Sequence, residues 1–468
     1  MKWNGGWLRA LGLAVLAAGL AASTAVGQAP PGPAGPYATG MAAASSHDRQ
    51  SNPSQAYTLP PDKLAKAIAL SRIRNILDIA GSIWGIAVLW LLLATRAAAG
   101  LEKLAQRIAE RRWIQGVAFF VVLLVITAAA DLPLDMIGHH YGRAYGISVQ
   151  SWASWFGDQA KALGLSLAIG VPVLLLFNWI VRRWPRRYWV IAWVVTLPIL
   201  VLSILAEPLF EPIFNKYEPL QRNHPALVAE LEKVVARTGT NIPPDRMYLM
   251  KASLKTNGLN AYVSGIGATK RIVVWDTTAG RIPNDEVLFI FGHESGHYVL
   301  HHIPKGIACS AIAFFFVYWA CAAFAGWLVR RFGSRWGADN LHPTDSGSSS
   351  QPSTGTQGLS SRTGFVVLLF AVSIASFLLE PLGNAFSRHF EHQADVYGQE
   401  AIHGIVADPQ KTAVAAFNAL GEAWLDDPNP NPLIEFWLYS HPSLQHRAEF
   451  AAHYDPWANG GHGQFFNN

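Results

Sequence analysis

The sequence predicts a mainly α-helical protein that crosses a membrane several times and carries one α+β domain outside the bilayer. Three observations predict it. Of the 468 residues, 51% are hydrophobic, 14% are charged and 18 are Trp, a composition too apolar and too aromatic for an ordinary soluble enzyme. Apolar runs near 77–95, 114–130, 162–181, 188–206, 307–329 and 364–383 each approach the roughly 20 residues a helix needs to cross hydrocarbon. Two more polar stretches, 208–305 and 384–468, are long enough to make one extramembrane domain once the flanking helices bring them together.

Residues 1–27 have a basic start (Lys2, Arg9), an apolar stretch from Ala10 to Ala22 and small residues Ala25 and Gly27. They read as a cleavable signal peptide, with a retained first membrane helix as the alternative. Residues 28–56, rich in Pro, Gly, Ala and Ser without helical or strand period, read as a disordered tether. The N-terminal membrane domain covers 57–207 and the last two spans 306–383, joined by a flexible Ser/Gly-rich loop at 340–362. Pro172 and Pro198 fall inside spans, where neighbouring helices re-satisfy the freed backbone groups. No internal repeat is visible.

A formal charge of +5 does not indicate a nucleic-acid partner, because the Arg and Lys residues flank apolar runs, as topology signals do, and no stacking or groove-reading motif accompanies them. The two cysteines, Cys309 and Cys321, lie about 18 Å apart if helical. They cannot bond within that helix, so neither a disulfide framework nor a cysteine metal site is available.

The chemistry is carried by FGHESGHYVLHH at 291–302. In a helix His293 and His297 lie one turn apart on one face and can grip one zinc ion, while Glu294 beside the first ligand can take a proton from metal-bound water. Asn284 as N-cap, Asp285 and Glu286 in the first turn and Pro304 beyond the end frame such a helix. Two imidazoles and a carboxylate on an otherwise apolar helix would be costly to bury without a metal.

A catalytic zinc usually has three protein ligands and one open position. Position 303, where one zinc-protease pattern places a third His, holds Ile303; His301 sits one turn further along the ligand face and is too far to close a tetrahedron. His301 and His302 read as supporting or surface residues. Glu391, in the helical stretch NAFSRHFEHQADVYG at 384–398, is the better third ligand. Asp395, one turn on, can accept the free N–H of a zinc-bound imidazole. Arg388, one turn before Glu391, could orient that carboxylate, assist an oxyanion or form a structural salt bridge.

These motifs, with NAYVSG (260–265), KRIVVWDT (270–277), PIFNKYEPL (212–220) and YSHPSLQHR (439–447) in this order, resemble the type I CAAX prenyl proteases, integral-membrane zinc endopeptidases, in a bacterial member. The likeness runs from about Tyr57 to Phe450. It implies a seven-helix membrane barrel around an intramembrane chamber, closed at one end by an α+β, gluzincin-like metalloprotease domain. It implies one zinc per chain on His293, His297 and Glu391, Glu294 as general base and Asp395 behind the ligands. Asn260 and His441 fall where the family places groups beside the scissile peptide, and both can donate hydrogen bonds to an oxyanion.

Asn260–Gly265 and Arg271–Thr277 read as two short strands, whose edge, at Asn260, Ala261 and Tyr262, could hold an extended substrate. The substrate would be a membrane-associated protein or peptide, lipidated or not; no prenyl-binding site is legible. The competing readings are a membrane chaperone or scaffold with a structural zinc, and a transporter. The first leaves the reactive open position unexplained; the second fits poorly with spans that carry few of the buried ionisable residues that mark ion pathways.

Loops 96–113, 182–188 and 330–363 carry the basic residues, including Arg96, Arg111, Arg112, Arg182, Arg183, Arg330, Arg331 and Arg362. The positive-inside rule therefore places them in the cytoplasm of a bacterial cell and the zinc domain outside the inner membrane. The resemblance to eukaryotic relatives implies the opposite side.

Overall fold

The structure, a computed structural model, describes residues 56–338 and 358–467. The expected signal segment, all but the last residue of the tether and most of the 340–362 loop lie outside the described residues.

The chain opens with α1 (Pro61–Ala94), the short amphipathic α2 (Ala97–Ile108), α3 (Arg112–Ala144), α4 (Trp152–Arg183) and α5 (Tyr188–Phe214). Then come β1 (Tyr217–Pro219), α6 (Leu220–Asn223), α7 (Pro225–Thr238), β2 (Met247–Met250), β3 (Ala261–Ser264), β4 (Arg271–Trp275), α8 (Asp276–Ala279) and α9 (Asn284–Val299). The chain returns through α10 (His302–Trp336) and α11 (Arg362–Ala401) and ends in α12 (Pro409–Trp424), α13 (Pro432–Leu438) and α14 (Leu444–His453).

Six of these helices, α1, α3, α4, α5, α10 and α11, are long and apolar enough to cross a membrane, and each contains one of the six apolar runs. α1 and α11 extend beyond their runs to pack on helices of the extramembrane domain. The principal packing partners follow a closed order: α1 on α3, α3 on α4, α4 on α5, α5 on α10, α10 on α11, and α11 back on α1. This is a barrel, built by six spans among the described residues where the resemblance implies seven. Ser361 caps the 40-residue α11 by accepting from the Gly364 N–H at 2.8 Å.

The basic segments meet at one end of the barrel. The Arg96 guanidinium donates to the carbonyls of Arg335 (2.8 Å) and Ser334 (3.0 Å), and Arg362 donates to the Arg112 carbonyl at 2.9 Å. Glu102 closes the start of α11 by accepting from the N–H groups of Arg362 and Thr363 at 3.0 and 2.9 Å, a favourable place for a carboxylate. One hydrophobic cluster fills that end, joining Phe119, Phe120, Ile180, Val181, Trp336 and Phe365 among others.

A second cluster forms the extramembrane core, around Leu231, Val273, Val274, Phe289, Phe291, Phe417 and Trp424. Its sheet has strand order β1-β2-β4-β3, with β2 and β4 parallel and the outer pairs antiparallel. The expected hairpin forms as β3 and β4, but Asp276 and Thr277 turn into α8 instead of extending the strand. In α9 Pro283 occupies the cap position and Asn284 is the first helical residue, with no side-chain cap. The helix stops at Val299 and the chain reverses through His301, whose φ is +59°, a conformation His tolerates better than most residues. Pro304 lies in the first turn of α10, where a missing N–H costs nothing.

Candidate metal centre

α9 and α11 cross at two glycines. A Cβ on Gly292 would stand 3.0 Å from the Gly398 carbonyl oxygen, and one on Gly398 would stand 2.7 Å from the backbone nitrogen of His293. Backbones this close leave no room for a side chain, and the crossing turns His293 and His297 toward Glu391 and Asp395. Residues 287–297 are all buried, with Phe289 edge-on to Phe417 at 5.2 Å, so α9 cannot rotate without breaking the core.

The Nε2 atom of His293 lies 3.2 Å from that of His297 and 3.3 Å from Oε2 of Glu391; Nε2 of His297 lies 3.6 Å from Oε1 of Glu391. All three side chains are buried, and their ligand atoms lie within 4.8 Å of one another. Oε2 of Glu391 is closed to solvent and makes no well-formed hydrogen bond, with the Arg447 guanidinium at 3.8 Å, an arrangement that favours a cation close to the carboxylate. Two imidazoles and a carboxylate around such a point suit a divalent metal ion, so the residues present fit one.

Each imidazole is oriented from behind. Nδ1 of His293 lies 2.9 Å from Oδ1 of Asp395, and Arg447 grips both oxygens of Asp395 from the far side, at 2.9 and 2.6 Å. Nδ1 of His297 lies 3.1 Å from Nδ1 of His302, whose Nε2 is 3.0 Å from the Gln393 side-chain oxygen. That oxygen can only accept, so His302 donates through Nε2 and accepts at Nδ1 from His297. The Nε2 lone pair of His297 is thereby left facing Glu391. His302 is held by stacking on Phe390, with centroids 4.3 Å apart.

Burial, reinforced by the nearby Glu391 charge, raises Glu294 to about 7. Burial alone would lower His293, but Asp395 and then Glu391 outweigh it and lift the group to about 9. His297 has no comparable partner, and burial lowers it to about 3. Burial also lowers His441. Burial works against the charge of Arg447 too, but the Asp395 carboxylate overcomes it and raises that group.

His441 reaches the centre from the segment after α13, with Nε2 3.3 Å from Oε1 of Glu391 and Nδ1 2.9 Å from the Ser440 hydroxyl. Glu294 is buried, and the Val263 backbone beside it works against the rise of its carboxyl. Asn260 is buried immediately before β3. Tyr262 points its hydroxyl at Glu211, 3.0 Å away, beside Tyr217 and Arg271.

Two expectations change. Arg388 does not orient Glu391: it donates to the carbonyls of Glu435, Phe436 and Tyr439, because its position on α11 faces the end of α13. His301 does not continue the ligand face, since α9 has already ended; it is exposed, and the reversal delivers His302 to His297 instead. Sequence reasoning missed Arg447 altogether, although it is the last residue of the YSHPSLQHR motif. Ser443 caps α14 by accepting from the His446 N–H, which sets the face on which Arg447 projects.

Residues 221–455 match the model of peptidase family M48. The chain belongs to peptidase family M48. Residues 44–216 match a second model, the CAAX prenyl protease N-terminal region of five membrane helices. An uncharacterized metalloprotease of Bacillus subtilis, YhfN, is 32% identical over 396 residues, covering 84% of this chain and 86% of its own. CAAX prenyl protease 1 of Saccharomyces cerevisiae is 27% identical over 339 residues, 71% of each chain. The crystal structure of Ste24p from S. mikatae shares the fold, with a TM-score of 0.67 at 20% identity over 96% of this chain and 98% of that one. The M48 chain is thus an integral-membrane metalloprotease, a helical barrel joined to a protease domain, and a scaffold with a purely structural metal is not favoured.

Proposed function

We propose that this M48 protease cleaves peptide bonds of membrane-associated proteins or peptides, using one zinc ion held by His293, His297 and Glu391. Donor spacing carries the reading. Zinc bonds of about 2.0–2.1 Å at tetrahedral angles separate neighbouring donors by about 3.3 Å, and the separations of His293 from His297 and from Glu391 are 3.2 and 3.3 Å. When bound, zinc supplies polarisation of the scissile carbonyl and acidification of the attacking water.

The chain's own residues do the rest. Glu294 accepts the proton of the attacking water on its carboxylate and delivers it to the leaving amine, and its burial favours holding that proton between the two transfers. The imidazole of His441 and the amide of Asn260 donate to the oxyanion. Asp395, backed by Arg447, and His302, backed by Gln393, hold the two imidazoles in their tautomers and orientations.

The substrate lies along β3, at the edge of the sheet. The Trp275 N–H donates to the Asn260 carbonyl at 3.1 Å, so by antiparallel alternation Tyr262 and Ser264 bond to β4, while Ala261 and Val263 face outward. The Val263 carbonyl is already met by the Tyr298 hydroxyl, at 3.4 Å. Ala261 is then the residue whose N–H and C=O pair with an extended peptide, whereas Tyr262 lines the edge without offering its main chain.

The barrel opens the site to substrates delivered from the bilayer, with or without a lipid group; similarity to proteins called CAAX prenyl proteases makes prenylated substrates one such class. The clusters of arginines flank the spans, as topology signals do, so no nucleic-acid partner is proposed. The protein resides in a bacterial inner membrane with the protease domain outside the cytoplasm.

The test compares the purified zinc-loaded chain with its Glu294→Gln variant on membrane-protein and peptide substrates, with products identified by mass spectrometry. The variant should keep one zinc and lose nearly all turnover, because an amide cannot accept the proton of water. Near-normal cleavage by the zinc-loaded variant would sink the mechanism.

A further inference from the structure

The segment that carries His441 is held from two sides by different membrane helices. On the α11 side, the Asn384 amide donates to the Trp437 carbonyl at 2.6 Å, and the Arg388 guanidinium donates to the carbonyls of Glu435, Phe436 and Tyr439. A cation there satisfies carbonyls that the end of a helix leaves open. On the α1 side, the Tyr439 hydroxyl lies 3.1 Å from the Ser71 hydroxyl, and the Asn75 amide donates to it at 3.5 Å. Arg74, on the same turn of α1, donates to the Trp424 carbonyl at 3.0 Å and faces Asp426 at 3.6 Å.

Tyr439 is therefore fixed at both ends, its carbonyl on α11 and its hydroxyl on α1. Two residues later, outside any helix, the His441 imidazole stands 3.3 Å from Glu391 and takes its second contact from Ser440. With so short a link, the place of the imidazole follows from the place of Tyr439. We infer that Tyr439, anchored by Ser71 and Asn75 on the first membrane helix, is a positioning residue for His441, so that α1 and α11 together set this imidazole for the reaction. The inference rests on His441 acting on the reacting carbonyl as proposed above.

The experiment measures kcat, KM and zinc content of the full-length, zinc-loaded chain as Tyr439→Phe, His441→Ala and the double variant. Losing one hydrogen-bonding hydroxyl should lower kcat about 3–10-fold, with KM within about twofold and zinc content unchanged, as expected for a group that matters in the transition state. In the His441→Ala background Tyr439→Phe should have no further effect, and the pair Ser71→Ala with Asn75→Ala should reproduce the Tyr439→Phe loss without touching the domain core. Full turnover by Tyr439→Phe, or a loss that multiplies with that of His441→Ala, overturns the positioning role and leaves that of His441 standing. Full turnover by His441→Ala strikes instead at the role given to His441, and this inference falls with it.

Discussion

Arg447 holds Asp395 by both carboxylate oxygens, at 2.9 and 2.6 Å, and Asp395 in turn lies 2.9 Å from the outer nitrogen of His293. The pair is buried and sits directly behind a candidate metal ligand, so its effect should be read in metal affinity. Arg447→Ala and Asp395→Ala are each expected to weaken zinc binding roughly 10–100-fold, and Arg447→Lys to recover only part, since an ammonium supplies the charge but not the planar fork. Glu391→Ala should abolish stoichiometric binding. Competition against a chromophoric chelator measures all four; unchanged affinity in Arg447→Ala would remove the supporting role, and a full equivalent of zinc in Glu391→Ala would mean another residue supplies the third donor.

The crossing of α9 and α11 predicts the sign of a substitution that is otherwise favourable. In a free helix, Gly→Ala gains up to about 1 kcal/mol. At Gly398 the new methyl would meet the His293 backbone nitrogen at 2.7 Å, and backbone cannot step aside as a flexible side chain can. Gly398→Ala is therefore expected to destabilise the domain by about 1–3 kcal/mol and to weaken metal binding by pushing His293 from Glu391. Thermal unfolding with and without zinc checks it, and a variant as stable as the parent with equal zinc affinity would show that the contact is loose.

Metal uptake should depend on pH in a stated direction. With the site free of metal, Asp395 and Glu391 hold the His293 proton up to about 9, and a ligating imidazole must give that proton up. Below about pH 9 the apparent zinc affinity is thus expected to rise by roughly tenfold per pH unit and to level above it. Asp395→Asn should move the plateau to lower pH by removing the stronger partner of the proton. A titration against a pH-corrected chelator that stays flat from about pH 6 to 9 would contradict the coupling.

Orientation follows from the basic end of the barrel. Arg96, with the carbonyl of Arg335, and Arg362, with that of Arg112, lie at that end, and the positive-inside rule predicts that it faces the cytoplasm. A reporter active only after export, fused after Asn468, should be active in intact cells. A silent reporter together with cytoplasmic labelling of the tail would reverse the topology and leave the metal chemistry as it is.

Neighbours along the chain determined much of this protein. Long apolar runs mark helices that must satisfy their backbone within the bilayer, and each appears as a span. The spacing of His293 and His297, and of Glu391 and Asp395, places each pair one turn apart wherever a helix forms, so the candidate groups were legible within each segment, whereas their convergence is a tertiary contact. The tertiary structure alone decided the rest. The closed order of the spans depends on which helices pack together, and the loss of His301 to an exposed reversal depends on where α9 ends. Arg447 reaches Asp395 across 52 positions of sequence, and Arg388 turns from Glu391 to the carbonyls of α13 because of how α11 is rotated in the assembled domain. No local period encodes such contacts: they arise when two helices cross at Gly292 and Gly398 and a cap at Ser443 aims a third, and their energies exist only once the intervening chain has folded.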